Sequence, residues 1–435
     1  MASSRLRGGR PSARAPDGNS GVPVSRRVLV LAPFPPGGPA HGGSVAIAAL
    51  VRALSGRHRI ALAYLRADDE GEPDQSVREA CEIVVEGRWH GTSTSTLRPL
   101  HRLPRLLPRV LAGDPLWVAR RWCADVVPRL QEIVGSWRPQ IVQAEFSAMG
   151  AYLRAADAGT AATVVTFHDV EAAAAAARAA RATGMERTWW RVEAPLWRRF
   201  EQRLLRSADA SVALTDRDAE ALQSLAPGAP IVRIPLGLPA PAPAADPGDA
   251  RPLLLFVGNF NHPPNVDAAR FLVDDVLPHV RRSHPDTRLV LAGDHAPDWL
   301  RARANETIGV PGFVADLGSL LDTATVVVAP LRQGGGVRVK VLEAMGAGKA
   351  VVGTTRALEG TGALAGDFAL AADDDASFAA AVSRLIDDPS ARRALGAAAR
   401  AHVLDALSPA RTAAAYEALH TRLLAMTPDT VAVNA

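Results

Sequence analysis

The sequence predicts an α/β protein of two doubly wound parallel-sheet domains facing each other across a cleft, and three observations carry that prediction. Short, almost wholly apolar runs alternate with stretches long enough for helices, the mark of strands buried on both faces. The alternation stops at a Pro/Ala-rich stretch, "LPAPAPAADPGDAR" (238–251), and then starts again. The chain has 435 residues, too many for one ordinary core, so length alone favours two units.

The elements follow in order. Residues 1–25 are rich in Arg, Gly, Ser and Pro without the apolar stretch of a signal peptide, and read as a disordered arm. The first domain, 26–237, opens with "RRVLVLAPF", a glycine-rich loop and the helical pattern "SVAIAALVRALSG". The runs "RIALAYL", "EIVVEG", "PQIVQAEF", "ATVVTF", "DASVALT" and "APIVRIPLG" supply its further strands. The stretch from Glu171 to Arg206 reads as one long amphipathic helix with a basic side, from which Arg178 and Arg181 could reach an acceptor. Residues 238–251 form a stiff linker. The second domain, 252–408, repeats the pattern with "PLLLFVGNF", a helix over 265–282, "TRLVLAGD", "IGVPGFV", "ATVVVAPL" and "KAVVGT". Ser408 and Pro409 suit an N-cap and first helical position for a final helix, 409–426, expected to pack back across the cleft; 427–435 read as a tail.

Composition excludes several classes. Apolar residues make up 48% and charged residues 22%, the balance of a globular enzyme, and a net charge of +4 on this length predicts no polyanion surface and no nucleic-acid partner. Only Cys81 and Cys123 occur, far apart, which argues against a disulfide framework or zinc site and suits a reducing cytosol. No apolar run approaches the roughly 20 residues of a spanning helix.

The chemistry concentrates in "APLRQGGGVRVKVLEAMGAGKAVVGT" (329–354). In a parallel sheet the ligand lies at the carboxyl ends of the strands, and this stretch runs from such an end into Gly334, Gly335 and Gly336. Bare glycine backbone followed by a helix N-terminus is an anion site, with phosphate the natural occupant. Lys340 and Glu343, three apart, share one helix face, so a cation near the glycines can bind a diphosphate and a carboxylate one turn deeper can accept from two ribose hydroxyls. The plain alternative is an exposed helical ion pair beside a turn. Gly348-Lys349 does not form a P-loop, because Glu343 stands at the first glycine position and Ala350 at the magnesium-binding hydroxyl.

This stretch with "ALEGTG", "FVGNFNHPPNVDAARFLVDDVLPHVR", "LVLAGD" and "VPGFVADLGSLLDTATVVVAP" resembles the donor-binding region of the retaining group 1 (family 4) glycosyltransferases over residues 252–360. The resemblance implies the GT-B fold, with two Rossmann-like domains around a central cleft. It also implies sugar transfer with retention from a nucleoside diphosphate donor to an acceptor hydroxyl, in cell-envelope glycan, exopolysaccharide or glycolipid synthesis. The family often has two glutamates with seven residues between them; Glu343 matches the second, and Gly335 stands where the first would be. An Arg and Lys pair common early in the second domain is replaced by "NFNHPPN", leaving Arg332, Arg338 and Lys340 as diphosphate candidates, with Lys340 preferred. Arg338 lies off the Glu343 face and could instead neutralise the loop. By the same resemblance the backbone near Val314, after Phe313, meets the nucleobase. Glu359 with Gly360, and Gly258 after "LLLFV", join the donor set.

In the first domain "TFHDVE" carries His168, which by resemblance contacts the donor sugar at the reaction centre; Asp169 reads as an N-cap. Gly42 and Gly43 mirror the three glycines and could close on phosphate or sugar, or simply make a tight turn. Asp373 to Asp375 read as a helix cap and not a metal site. The resemblance implies that helix ends and cations take the place of magnesium or manganese, so neither metal nor other cofactor is predicted. The partners expected are the donor and a glycan or lipid-linked acceptor. Arg98 to Trp122 mixes basic residues with Leu, Val and Trp, either a solvated cover or a face that docks on anionic lipid at the inner side of the membrane. Two alternatives remain: a sugar 2-epimerase of the same fold, and a non-catalytic nucleotide-sugar sensor.

Overall fold

The structure, a computed structural model, describes residues 25–38, 42–89, 103–248, 251–364 and 367–426. The expected arm up to residue 24, the tail 427–435 and positions 98–102 of the basic stretch lie outside the described residues.

The first sheet contains β1 (Arg27–Ala32), β2 (Arg59–Arg66), β3 (Ile83–Arg88), β4 (Ile141–Glu145), β5 (Ala162–Phe167), β6 (Ala210–Ala213) and β7 (Ile231–Arg233), in the order β3-β2-β1-β4-β5-β6-β7. The second contains β8 (Leu253–Val257), β9 (Arg288–Ala292), β10 (Ile308–Gly312), β11 (Val326–Ala329), β12 (Val351–Gly353) and β13 (Leu370–Ala371), in the order β10-β9-β8-β11-β12-β13. Every pairing is parallel. Both sheets therefore reverse direction once, between β1 and β4 and between β8 and β11, and a crevice at the carboxyl ends of those strands is where such a sheet binds ligand. Pro311 lies in β10 at a sheet edge, where a missing N–H does least harm.

Burial explains the apolar runs. In β1, Val28 and Val30 pack with Ile47 and with Tyr416 and Leu419 of the final helix, whereas Leu29 and Leu31 join the cluster of Trp197 and Phe200. A strand covered on both faces has no polar side to show, so its pattern is continuous.

Two local departures have physical causes. The stretch from Glu171 to Arg206 is two helices, Glu171–Arg181 and Gly184–Ser207, folded back on each other. The break falls at Gly184, whose φ of 56° suits glycine, and the first helix is capped by Glu201 of the second, which accepts from the backbone N–H of Glu171 (3.1 Å) and Ala172 (2.9 Å). Asp169 is thus not the helix cap; its carboxylate accepts from the adjacent Val170 N–H. The stretch 238–251 is tied to the second domain: Ala245 O accepts from buried Lys349 Nζ (2.7 Å), Asp246 pairs with buried Arg392 (2.7 Å), and Ala244 N–H donates to Ala347 O (2.8 Å).

The last helix, Pro409–Met426, begins beside the other crossover: Leu238 N–H donates to Leu407 O and Thr412 Oγ1 to Pro235 O (2.8 Å). It then lies on the first sheet, where Tyr416 and His420 are buried. Among the described residues no helix is long and apolar enough to cross a membrane.

Candidate functional site

The two crevices face each other, and each contributes a half-site. In the second domain β11 runs through Pro330 and Leu331 into the glycines and the helix Val339–Gly346. Gly334 and Gly336 have φ of 91° and 68°. A Cβ on Gly335 would sit 2.2 Å from Asp169 Oδ1, and one on Gly336 2.4 Å from the carbonyl of His168. The glycines are therefore what lets this loop touch the opposite domain. Gly42 opens the helix Gly42–Ser55 and lies against Val339, 2.6 Å from where its Cβ would be. Gly43 is held bare by the ring edges of Phe146 and Phe34. Two helix N-termini from different domains thus meet in the cleft, and their dipoles add in favour of an anion.

Lys340 and Glu343 do form an ion pair, at 2.9 Å, but Glu343 is not an exposed partner: its side chain is 20% accessible against 46% for Lys340. Glu343 Oε2 is sealed from solvent and faces the Lys340 ammonium.

The other expected donor residues divide. Arg338 donates to the carbonyls of Gly335 and Gln333 (3.3 Å to the latter), bracing the loop. Burial lowers its pKa, opposed by the nearby carboxylates of Asp169, Glu359 and Asp218, so it neutralises an acidic group that straddles the domains. Arg332 is held in a two-pronged pair with Asp267 (2.7 and 3.0 Å) over the ring of Phe271. Glu359 pairs with Arg217 of the first domain at 3.1 Å, and a Cβ on Gly360 would strike Thr215. Gly258 follows β8 at the reversal point, its N–H donating to Ala292 O. Val314 is half-buried just beyond β10, with Phe313 53% exposed beside it. Arg356, unremarked in the sequence, donates to Gly334 O at 3.2 Å.

The first-domain half is built of side chains. His168 follows β5; its Nε2 lies 2.7 Å from Glu145 Oε2 at the end of β4, and its ring stacks on Phe146 with centroids 3.9 Å apart. Phe146 adopts φ of 69°, a strained value for a bulky residue, between Glu145 and the following turn. No sequence motif points to Glu145, although a signal exists: Gln143 and Glu145 are two polar residues on one face of a strand that is wholly buried.

Among the described residues no group of three or more His, Cys, Asp or Glu side chains is arranged to hold a metal ion. Asp373 bonds the Thr355 N–H and hydroxyl, and Asp374 caps the helix Asp375–Asp387.

Comparison with known proteins decides the family. Residues 251–388 match the profile of group 1 glycosyl transferases and residues 40–240 that of glycosyltransferase family 4, so both halves of the cleft are matched. The chain belongs to the group 1, family 4 glycosyltransferases. The enzyme is a retaining nucleotide-sugar glycosyltransferase of GT-B fold. Solved structures agree in fold. Sucrose-phosphate synthase from Thermosynechococcus elongatus superposes with a TM-score of 0.65 at 16% identity, covering 92% of this chain and 99% of that one. Anabaena HepE, solved with UDP and glucose, gives 0.62 at 14% identity over 91% and 100%. A relative in sequence is an uncharacterised 44.6 kDa protein in the cps region of Klebsiella pneumoniae, 29% identical over 136 residues; the match spans 35% of that protein and 29% of this glycosyltransferase.

Proposed function

We propose that this glycosyltransferase moves a sugar from a nucleoside diphosphate, UDP in the first instance, to the hydroxyl of a glycan or lipid-linked acceptor in surface polysaccharide synthesis, without a metal. The observation that carries the reading is the meeting of two helix N-termini beside Lys340, with the half-buried carboxylate of Glu343 one turn deeper. The bond from C1 to the diphosphate oxygen breaks while the acceptor oxygen bonds C1 on the same face, and the departing phosphate takes the acceptor's proton. Fixed N–H groups and Lys340 stabilise the charge that grows on the leaving group, without reorganising. His168 meets the sugar from the first domain, Val314 lies toward the base, and Gly258 belongs to the donor set. The choice of UDP follows HepE, and the polysaccharide role follows the cps-region relative.

A screen of UDP-, GDP-, ADP- and dTDP-sugars with chelator present tests it: one donor is slowly hydrolysed to its diphosphate, faster with cell-envelope extract as acceptor. Consumption of none, with or without metal, leaves a sensor; release of an epimerised donor leaves a 2-epimerase.

We place the enzyme in the cytoplasm, at the inner face of the membrane. Leu107 and Leu111 are exposed on the helix Leu103–Leu111, which runs through Pro108. Several nearby cations are engaged, however: Arg109 lies 3.6 Å over Trp122, and Arg121 stacks on Trp117 and Trp89. Sedimentation with anionic vesicles at low salt should therefore depend on Leu107 and Leu111 and fall when both become Ser; no binding at all removes the membrane contact.

A further inference from the structure

Behind His168 the hydrogen bonds have only one consistent direction. Glu145 Oε1 accepts from Gln143 Nε2 at 2.6 Å and from Thr166 Oγ1 at 3.1 Å, and Oε2 faces His168 Nε2. A carboxylate can only accept, so the single hydroxyl hydrogen of Thr166 is committed to it. The contact between Thr166 Oγ1 and Tyr416 OH, 2.9 Å, must then be donated by the tyrosine. Gln143, donating through its amide nitrogen, turns its oxygen to His420 Nε2 at 3.2 Å, which donates. Burial raises the Tyr416 phenol well above its ordinary pKa and lowers that of His420 to about 3, so the first keeps its proton and the second stays neutral. Two residues of the last helix, more than 240 positions beyond β5 in sequence, thus feed two converging chains that both end on Glu145 Oε1.

We propose that Glu145, Tyr416 and His420 are positioning residues that hold His168 as its Nε2–H tautomer, so that the cleft meets a bare Nδ1 that can only accept. Nδ1 has no hydrogen bond from the described residues and is not among the sealed atoms lacking a partner. Stacking on Phe146 fixes the ring plane, and the Glu145 contact fixes which edge turns inward. The sugar group that meets His168 is accordingly one that donates a hydrogen. The last helix, in this view, makes assembly of the reaction centre depend on the chain having closed back over its first domain. The proposal rests on the reading of His168 as the sugar contact.

Nitrogen and carbon shifts of the imidazole in the full-length protein report the tautomer without any donor, with His168 assigned by its loss in His168→Ala. The wild type should show Nε2–H. In Glu145→Gln the single amide oxygen must serve Gln143 and Thr166, its NH2 then faces the ring, and His168 should invert to Nδ1–H. Tyr416→Phe should lower kcat about fivefold, with donor KM and melting temperature little changed. Thr166→Val should do the same, and Thr166→Ser should restore the rate. An Nδ1–H ring in the wild type overturns the proposal, as does a Tyr416→Phe enzyme with unaltered kcat or with kcat and KM shifted alike. If His168→Ala turns over donor as the wild type does while the tautomer behaves as expected, the role of His168 in transfer falls and the orientation alone stands.

Discussion

The two half-sites are built by opposite means. In the second domain, 334–343 delivers glycine backbone, a helix end, Lys340 and Glu343 from ten consecutive residues. The first domain assembles His168 with Gln143, Glu145, Phe146, Thr166, Tyr416 and His420, drawn from two strands, a strained turn and the last helix. One half is backbone with a half-buried ion pair; the other is an ordered side-chain network. The difference follows from what each must do: a diphosphate is bound by many similar N–H groups, whereas one ring must be held in one orientation.

The largest effect should come from severing the two. His168→Ala is expected to lower turnover about 10²- to 10³-fold, the scale of losing one preorganised polar group in a reaction centre, while calorimetry shows nucleotide binding preserved. Loss of nucleotide binding would mean that the halves are not separable. Glu343→Ala should weaken the diphosphate by about 1.5 to 3 kcal/mol, the range for hydrogen bonds to a charged group. The free nucleoside should suffer equally, since the contact is to ribose. Lys340→Ala should spare the nucleoside and reduce turnover, and an equal loss for nucleoside and diphosphate would assign Lys340 to the fold.

The same contrast explains what was legible. Contiguous motifs such as "GGGVRVKVLE" can be read because helix geometry fixes which residues share a face. The strand pattern was legible too, since a strand covered by helices on both faces must be apolar at every position, and short unbroken apolar runs between helical stretches mark such strands. Asp267 could not be paired with Arg332 in advance, nor Arg217 with Glu359, because those pairs are set by tertiary approach. The break at Gly184 was hidden by alanine-rich sequence on one side and a good helical pattern on the other. Gln143 and Glu145 were visible as polar residues in a buried strand, but their partners, Thr166, His168 and His420, lie far along the chain.

A pH titration should separate the halves by stability, with a smaller effect. Burial first, then the nearby charges of Arg26 and His58, lower the His420 pKa to about 3 from an ordinary 6.5. The unfolded chain thus takes up a proton below about 6.5 that the folded chain refuses until about 3. Stability is therefore lost progressively as pH falls through that window. His58, also lowered by burial and lying against Glu417 of the same helix, acts in the same direction. His420→Gln should flatten the fall in melting temperature between pH 6.5 and 4, and an unchanged slope would show that other groups control it.

The smallest effect is expected where the halves touch. Arg217 and Glu359 bridge the domains at 3.1 Å with side chains 47% and 23% accessible, and exposed pairs of this kind contribute about 0.2 to 1 kcal/mol. Glu359 either serves this clasp or reaches the donor, and a double-mutant cycle decides. If it only clasps, Arg217→Gln and Glu359→Gln should each change donor KM less than about threefold, and the double variant should match either single one, because each removes the same interaction. If it touches the donor, Glu359→Gln should be much the worse of the two, and Arg217→Gln should leave that penalty intact. The structure favours the first outcome, since both carboxylate oxygens of Glu359 already lie within 3.5 Å of Arg217 Nη1.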